Sequence, residues 1–203
     1  MKIKSIIQLI IISILLCILA SCSLYIRTDC NIDNYETICE EVKFARRFLP
    51  MLTDLGDYSD ISYSHKSSDQ FLMEYDAIYL CVEYTEDNYV QKKQEVLSSY
   101  DFLDAAIVST RDELEGYYIS PLSEFDYKGY SFLTSVDEDL VIYGSQWSSR
   151  SFAFVGYNDE YCRLTYCYFL DEDAEWVLEP TDNPEVAMIK FMDEHFLWNE
   201  ISD

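Results

Sequence analysis

The sequence predicts an α+β fold. It reads as a single domain in which a mainly antiparallel sheet carries about three helices on one face, preceded by a signal peptide. Three observations lead there. Period-two alternation recurs in several short stretches, and helical spacing recurs in three others. The order is helix, two strands, helix, several strands, helix, with no strict strand–helix alternation and no GxGxxG after a strand. The expected partition is a signal peptide over residues 1–21, a lipidated cysteine and short tether over 22–32, and an acidic α+β domain over 33–203.

Within the domain, Asp33-Asn34-Tyr35-Glu36 has the pattern of a capping box, with Asp33 as N-cap and Glu36 at the third helical position. The helix that follows spaces Ile38, Val42, Ala45 and Leu49 three to four apart and ends at Pro50, with Arg46 and Arg47 favoured near its C-terminus. Gly56 stops any further turn. Tyr58 to Lys66 alternates Ile61, Tyr63 and His65 against Asp60, Ser62 and Ser64, and Ser67 to Gln70 reads as a turn. In Asp76 to Tyr84 both alternating sets are largely apolar, which predicts an interior strand.

Thr85 is placed to cap a helix over 86–100, carrying Tyr89, Val90, Val96, Leu97 and Tyr100. Short strands are expected over Ala105–Ser109, Tyr117–Pro121, Tyr127–Thr134 around Gly129, and Leu140–Tyr143. Ser151–Tyr157 and Tyr161–Leu170 form a hairpin about Asn158-Asp159-Glu160. Its apolar faces are Phe152 and Phe154 on one arm and Leu164, Tyr166, Tyr168 and Leu170 on the other. Asn183 caps the last helix with Pro184 behind it, and Val186, Ile189, Met192 and Phe196 make the expected buried stripe.

Charge excludes whole classes of function. The chain holds 38 Asp+Glu against 14 Lys+Arg, a net charge of -24. Lys2 and Lys4 lie in the first 21 residues, and without them the remainder stands at -26. Nucleic acid needs a basic face, so it is not an expected partner. An anionic lipid surface should likewise repel the domain. Aromatics at 16%, with 18 Tyr, argue against disorder.

Seven cysteines do not read as a disulfide framework. Cys17 leaves with the signal and Cys22 is assigned to lipid, so Cys30, Cys39, Cys81, Cys162 and Cys167 remain, an odd number best taken as small buried hydrophobes. No CxxC occurs and only two His exist, so no zinc site is expected. Catalytic signals are weak throughout. There is no GxSxG, and Gly144-Ser145-Gln146-Trp147 is a turn sequence. Cys81 with His65 or His195 imitates a Cys–His pair, but Cys81 sits in an apolar strand. The runs 137–139 and 171–175 are oxygen-rich but lack calcium-loop spacing and read as solvated loops, and no cofactor is expected. Tyr plus carboxylate would suit a sugar site, yet Tyr equally fills half-buried sheet faces with a polar tip.

The N-terminal segment is the most informative. Lys2 and Lys4 form a positive start, and Ile6 to Ala20 is a 15-residue apolar stretch broken only by Gln8 and Ser13. That is short for a membrane-spanning helix but has the length of a secretory core. Leu19-Ala20-Ser21-Cys22 follows directly and resembles the lipobox of bacterial lipoproteins. The resemblance implies cleavage between Ser21 and Cys22, a thioether-linked diacylglyceryl group on Cys22, palmitate-type acylation, and anchoring at the extracytoplasmic face of the cell membrane. Two acyl chains suffice for stable anchoring where one is marginal. A cleaved signal without lipid, or an uncleaved anchor helix, remain as alternatives. The stretch Phe71 to Leu103, with "FLPMLTDLGDYSDISYSH" before it and "SFAFVGYNDEYCRLTYCYFLD" after it, resembles uncharacterised lipoproteins of Gram-positive gut-type bacteria, which implies lipid anchoring and carries no activity. The expected function is therefore a membrane-tethered, non-catalytic binding or interaction domain for a protein or small-molecule partner. The alternative is a cell-envelope hydrolase built on acidic residues.

Overall fold

The computed structural model describes residues 26–70, 73–104, 122–135, 150–171 and 183–198. Among these residues, seven antiparallel strands form one sheet in the order β1-β2-β3-β7-β6-β5-β4. They are β1 (Ile26–Asp29), β2 (Asp60–Gln70), β3 (Met73–Glu83), β4 (Glu124–Tyr127), β5 (Tyr130–Ser135), β6 (Arg150–Asn158) and β7 (Arg163–Asp171). The α-helices are α1 (Tyr35–Glu41), α2 (Ala45–Phe48), α3 (Glu86–Ser99) and α4 (Pro184–His195), with 3₁₀ turns at Ile32–Asn34 and Leu52–Asp54. The α+β, mainly antiparallel expectation therefore holds. Among the described residues no helix is long and apolar enough to cross a membrane.

The helices cover both faces of the sheet, not one. β3 explains why: Ile78, Leu80 and Val82 are buried on one face and Ala77, Tyr79 and Cys81 on the other, and a strand apolar on both faces needs cover on both. On the first face lie α1, α2 and α3, contributing Tyr35, Cys39, Ala45, Phe48, Tyr89 and Val96. On the second lies α4, contributing Met188, Phe191 and Met192. The β6–β7 hairpin is divided in the same way. Phe152 and Phe154 stand opposite Phe169 and Cys167 on the α4 side, while Leu164, Tyr166, Tyr168 and Leu170 face the other helices.

Several local expectations are corrected. Ile26–Asp29, placed in the tether, pairs with β2 as the edge strand, Ile26 opposite Ser68 and Asp29 opposite His65. Ser67 to Gln70 is not a turn: β2 runs through it, in register to Gln70 opposite Met73, so the cross-strand ladder overrides four turn-forming residues. The first helix is broken. Val42 is extended, Phe44 sits at φ 66, and a new helical turn starts at Ala45. Asp33 is not its N-cap; Asn31 accepts from the Asp33 amide at 3.2 Å, and the Glu36 carboxylate takes the Leu52 amide at 3.1 Å instead of closing a capping box. On α4 the Asn183 side chain accepts from the amides of Glu185 and Val186, as expected. Its stripe is rotated, however: Met188, Phe191, Met192 and His195 are buried, while Val186 and Ile189 are exposed. The strands expected at 105–109, 117–121 and 140–143 lie outside the described residues.

The tyrosine-rich composition has a structural use. The broken segment between α1 and β2 leaves backbone carbonyls without helical partners, and three buried tyrosines and the half-buried Tyr100 reach them. Tyr35 donates to the Pro50 carbonyl at 2.7 Å, Tyr168 to Lys43 at 2.7 Å, Tyr100 to Phe48 at 3.0 Å and Tyr84 to Leu55 at 3.3 Å. The rings fill the core and the hydroxyls satisfy the cover, which favours the sheet-filling reading of Tyr over sugar stacking.

Candidate functional site

A concavity lies at the sheet end where β6 turns into β7. A groove of about 620 Å³ runs between α3 and the turn Asp159–Cys162. That volume is in the ~300–1,000 Å³ range of small-molecule sites. One wall is α3. Thr85 precedes it, and its carbonyl accepts from the Asn88 and Tyr89 amides, at 3.1 and 2.8 Å, without a side-chain cap. Because positions three, four and seven apart share a helix face, Val90, Gln94 and Leu97 line the groove as one ledge. Val96 faces the core, and Tyr89 is buried in the core while its edge also lines the groove.

The opposite wall is the hairpin turn, held by its own polar groups. Asn158 accepts from the Tyr161 amide at 3.0 Å, and Cys162 closes the turn at φ 53, in the left-handed region. Asp159 is the hub. One of its oxygens accepts from the Tyr89 hydroxyl and from Lys93, each at 2.6 Å. The Lys93 ammonium also lies 3.7 Å from the centre of the Tyr157 ring. The two donors hold the Asp159 carboxyl below its usual range, Lys93 first and Tyr89 second. In turn, burial and the Asp159 hydrogen bond push the Tyr89 phenol up. Cys162 is half-buried beside Glu86 and Asp159. Burial, then these carboxylates, raise its thiol pKa, so it is a poor nucleophile at neutral pH.

The sequence-predicted candidates are not brought together. Cys81 is buried on the α4 face, its sulfur 3.5 Å from the Tyr130 hydroxyl. His65 is on the opposite face, its Nε2 2.7 Å from Asp76. His195 shares a face with Cys81 but packs on Tyr75, six positions along β3, or roughly 20 Å away. It is enclosed by Tyr75, Phe169 and Phe191, with ring centres 4.7–5.2 Å away, and burial lowers its pKa to about 3. Cys30, Cys39, Cys81, Cys162 and Cys167 form no disulfide, and Cys39, Cys81 and Cys167 are buried. Among the described residues no group of three His, Cys, Asp or Glu is placed to hold a metal ion. Of the acidic runs only Asp171 is described, buried at the end of β7; Ser21, Cys22 and 144–147 lie outside the described residues.

The groove itself was missed by sequence reasoning. Its one advance signal was the apolar set expected along this helix, in which Val90 stands seven positions before Leu97 and directly after Tyr89. Comparison with family models, with curated proteins and with solved structures finds no match to this chain.

Proposed function

We propose that the chain is a membrane-tethered extracytoplasmic lipoprotein whose α+β domain is a non-catalytic binding module. The observation that carries the reading is the order Lys2/Lys4, apolar Ile6–Ala20 and Leu19-Ala20-Ser21-Cys22. The fold adds a geometric consequence. β1 begins at Ile26, so a lipid on Cys22 is at most ~14 Å of chain from the sheet. Ile26 stands level with Ser68 and Tyr75, eight strand residues, or ~26 Å, from the level of Asp60 and Glu83, beside which the groove opens. A lipid anchor at Cys22 would then lie at one end of the sheet and the groove at the other. Repulsion between the acidic domain and anionic lipid works in the same sense, holding the groove away from the bilayer.

The non-catalytic part of the reading is supported by the separation of Cys81 from both histidines and by the downward shift of the Asp159 carboxyl, the wrong direction for a general acid. The test is incorporation of radiolabelled palmitate in cells. The unmodified sequence should carry label and partition with membranes, and Cys22→Ala should carry none. Label retained on Cys22→Ala would defeat the lipid assignment.

A further inference from the structure

The groove wall combines an uncovered apolar ledge with an excess of negative charge. Val90 is 68% exposed, the highest of any large hydrophobic among the described residues. With Leu97 seven positions on, it forms a ledge ~10 Å long, the span of about three extended residues. Facing and flanking that ledge are the carboxylates of Glu86, Asp159 and Glu160, and the one cation of the lining is Lys93. Three carboxylates against one ammonium leave two net negative charges in a concave, partly apolar site, where fields are focused.

From this we infer that the groove binds a basic peptide segment carrying an apolar side chain. The inference rests on the reading of the domain as a binding module and is independent of the lipid anchor. An anionic ligand would have to take Lys93 from Asp159, with which it makes a 2.6 Å contact, and would face the other two carboxylates. A neutral apolar ligand would cover carboxylates without pairing them, which is costly. A basic segment meets both requirements. Its ammonium or guanidinium groups pair with Glu86 and Glu160 at the rim, and its apolar side chain covers Val90 and Leu97. The length of the ledge favours a peptide over a small amine.

The test is isothermal titration of the full chain in dodecyl maltoside micelles with the peptide Ac-Lys-Leu-Lys-Val-Lys-NH2 at low ionic strength, with empty micelles as the blank. The expected result is saturable binding with one peptide per chain. It should weaken about tenfold in Glu86→Gln/Glu160→Gln and comparably in Val90→Ser/Leu97→Ser, because each exposed ion pair and each covered methyl group contributes modestly. Glu124→Gln/Glu185→Gln removes the same charge from exposed sites on β4 and α4 and should change affinity by less than about twofold. Two results would overturn the inference: no saturable binding, or equal weakening by the remote pair, which would mean the peptide reads only the overall negative field. Cys22→Ala should bind the peptide as the unmodified chain does. Failure of peptide binding would leave the palmitate result untouched, and the converse also holds.

Discussion

The two ends of the sheet are built from different chemistry. At the lower end, where β1 begins, both histidines face inward: His65 on Asp76, and His195 against Tyr75. The chain that leaves α4 runs from there toward the middle of the sheet, with Lys66 donating to the Glu194 carbonyl and Ser64, level with Tyr79, to the Leu197 carbonyl at 2.7 Å. At the upper end the connections are tight turns: Lys128-Gly129 with both φ positive, and the Asp159–Cys162 turn clasped by Tyr89 and Lys93. The lower end is therefore the acid-sensitive one. The lower end depends on a buried neutral imidazole, while the upper end depends on a carboxylate already held ionised, beside an apolar ledge that nothing in the described structure covers.

The comparison breaks most severely at Gly156, near the upper end. A Cβ there would lie 2.5 Å from the Phe132 ring, which is fully buried and stacked on Phe125 at 5.1 Å. Gly156→Ala should cost about 2–3 kcal/mol by overpacking, read as a lower denaturation midpoint at unchanged m-value.

Acid should act next, and from the other end. His195 is neutral in the fold with a pKa of about 3, whereas an unfolded histidine takes up its proton near 6.5. The unfolded state therefore binds more protons below pH 6.5, and stability falls as pH drops from there toward 3. The loss is about 2 kcal/mol at pH 5. His195→Leu should flatten urea-measured stability between pH 6.5 and pH 5; an unchanged slope in that variant would remove the histidine from the account.

A smaller effect is expected at Tyr89. Tyr89→Phe removes the 2.6 Å hydrogen bond to Asp159 and should cost about 1 kcal/mol in thermal or chemical unfolding while keeping the ring in the core. Least of all, Cys162→Gly should stabilise by up to ~1 kcal/mol, since glycine takes the left-handed backbone at φ 53 without a Cβ penalty. A measured loss would mean that the packing of the Cys162 side chain on the core outweighs the backbone term.

What could be read from residues alone follows the strength of the local pattern. The β6–β7 hairpin, the interior strand β3 and the Asn183-Pro184 start of α4 carry long alternation or a specific cap, and the fold uses them as read. The strand Ile26–Asp29 is four residues with an exposed edge, so it has no periodicity of its own and becomes a strand only through β2. The α4 stripe was legible as apolar but not in phase. Val186, Met188, Ile189, Phe191 and Met192 offer more than one helical face, and the sheet selects the one with Met188 and Phe191. The groove was not legible because its walls are seventy residues apart, joined by the Tyr89–Asp159 contact. The N-terminal assignment stands on sequence pattern alone.

The proposed anchor at Cys22 and the groove would lie at opposite ends of the domain, and collisional quenching by nitroxide headgroup lipids tests that placement directly. In the full chain isolated from membranes and placed in vesicles, a fluorophore introduced by Ser67→Cys, with Cys30 and Cys162 replaced by Ser, reports the lower end beside Arg27. A fluorophore on Cys162, with Cys30 replaced by Ser, reports the groove. Quenching should be strong at position 67 and weak at position 162. Equal quenching at the two positions, or stronger quenching at 162, would contradict that placement.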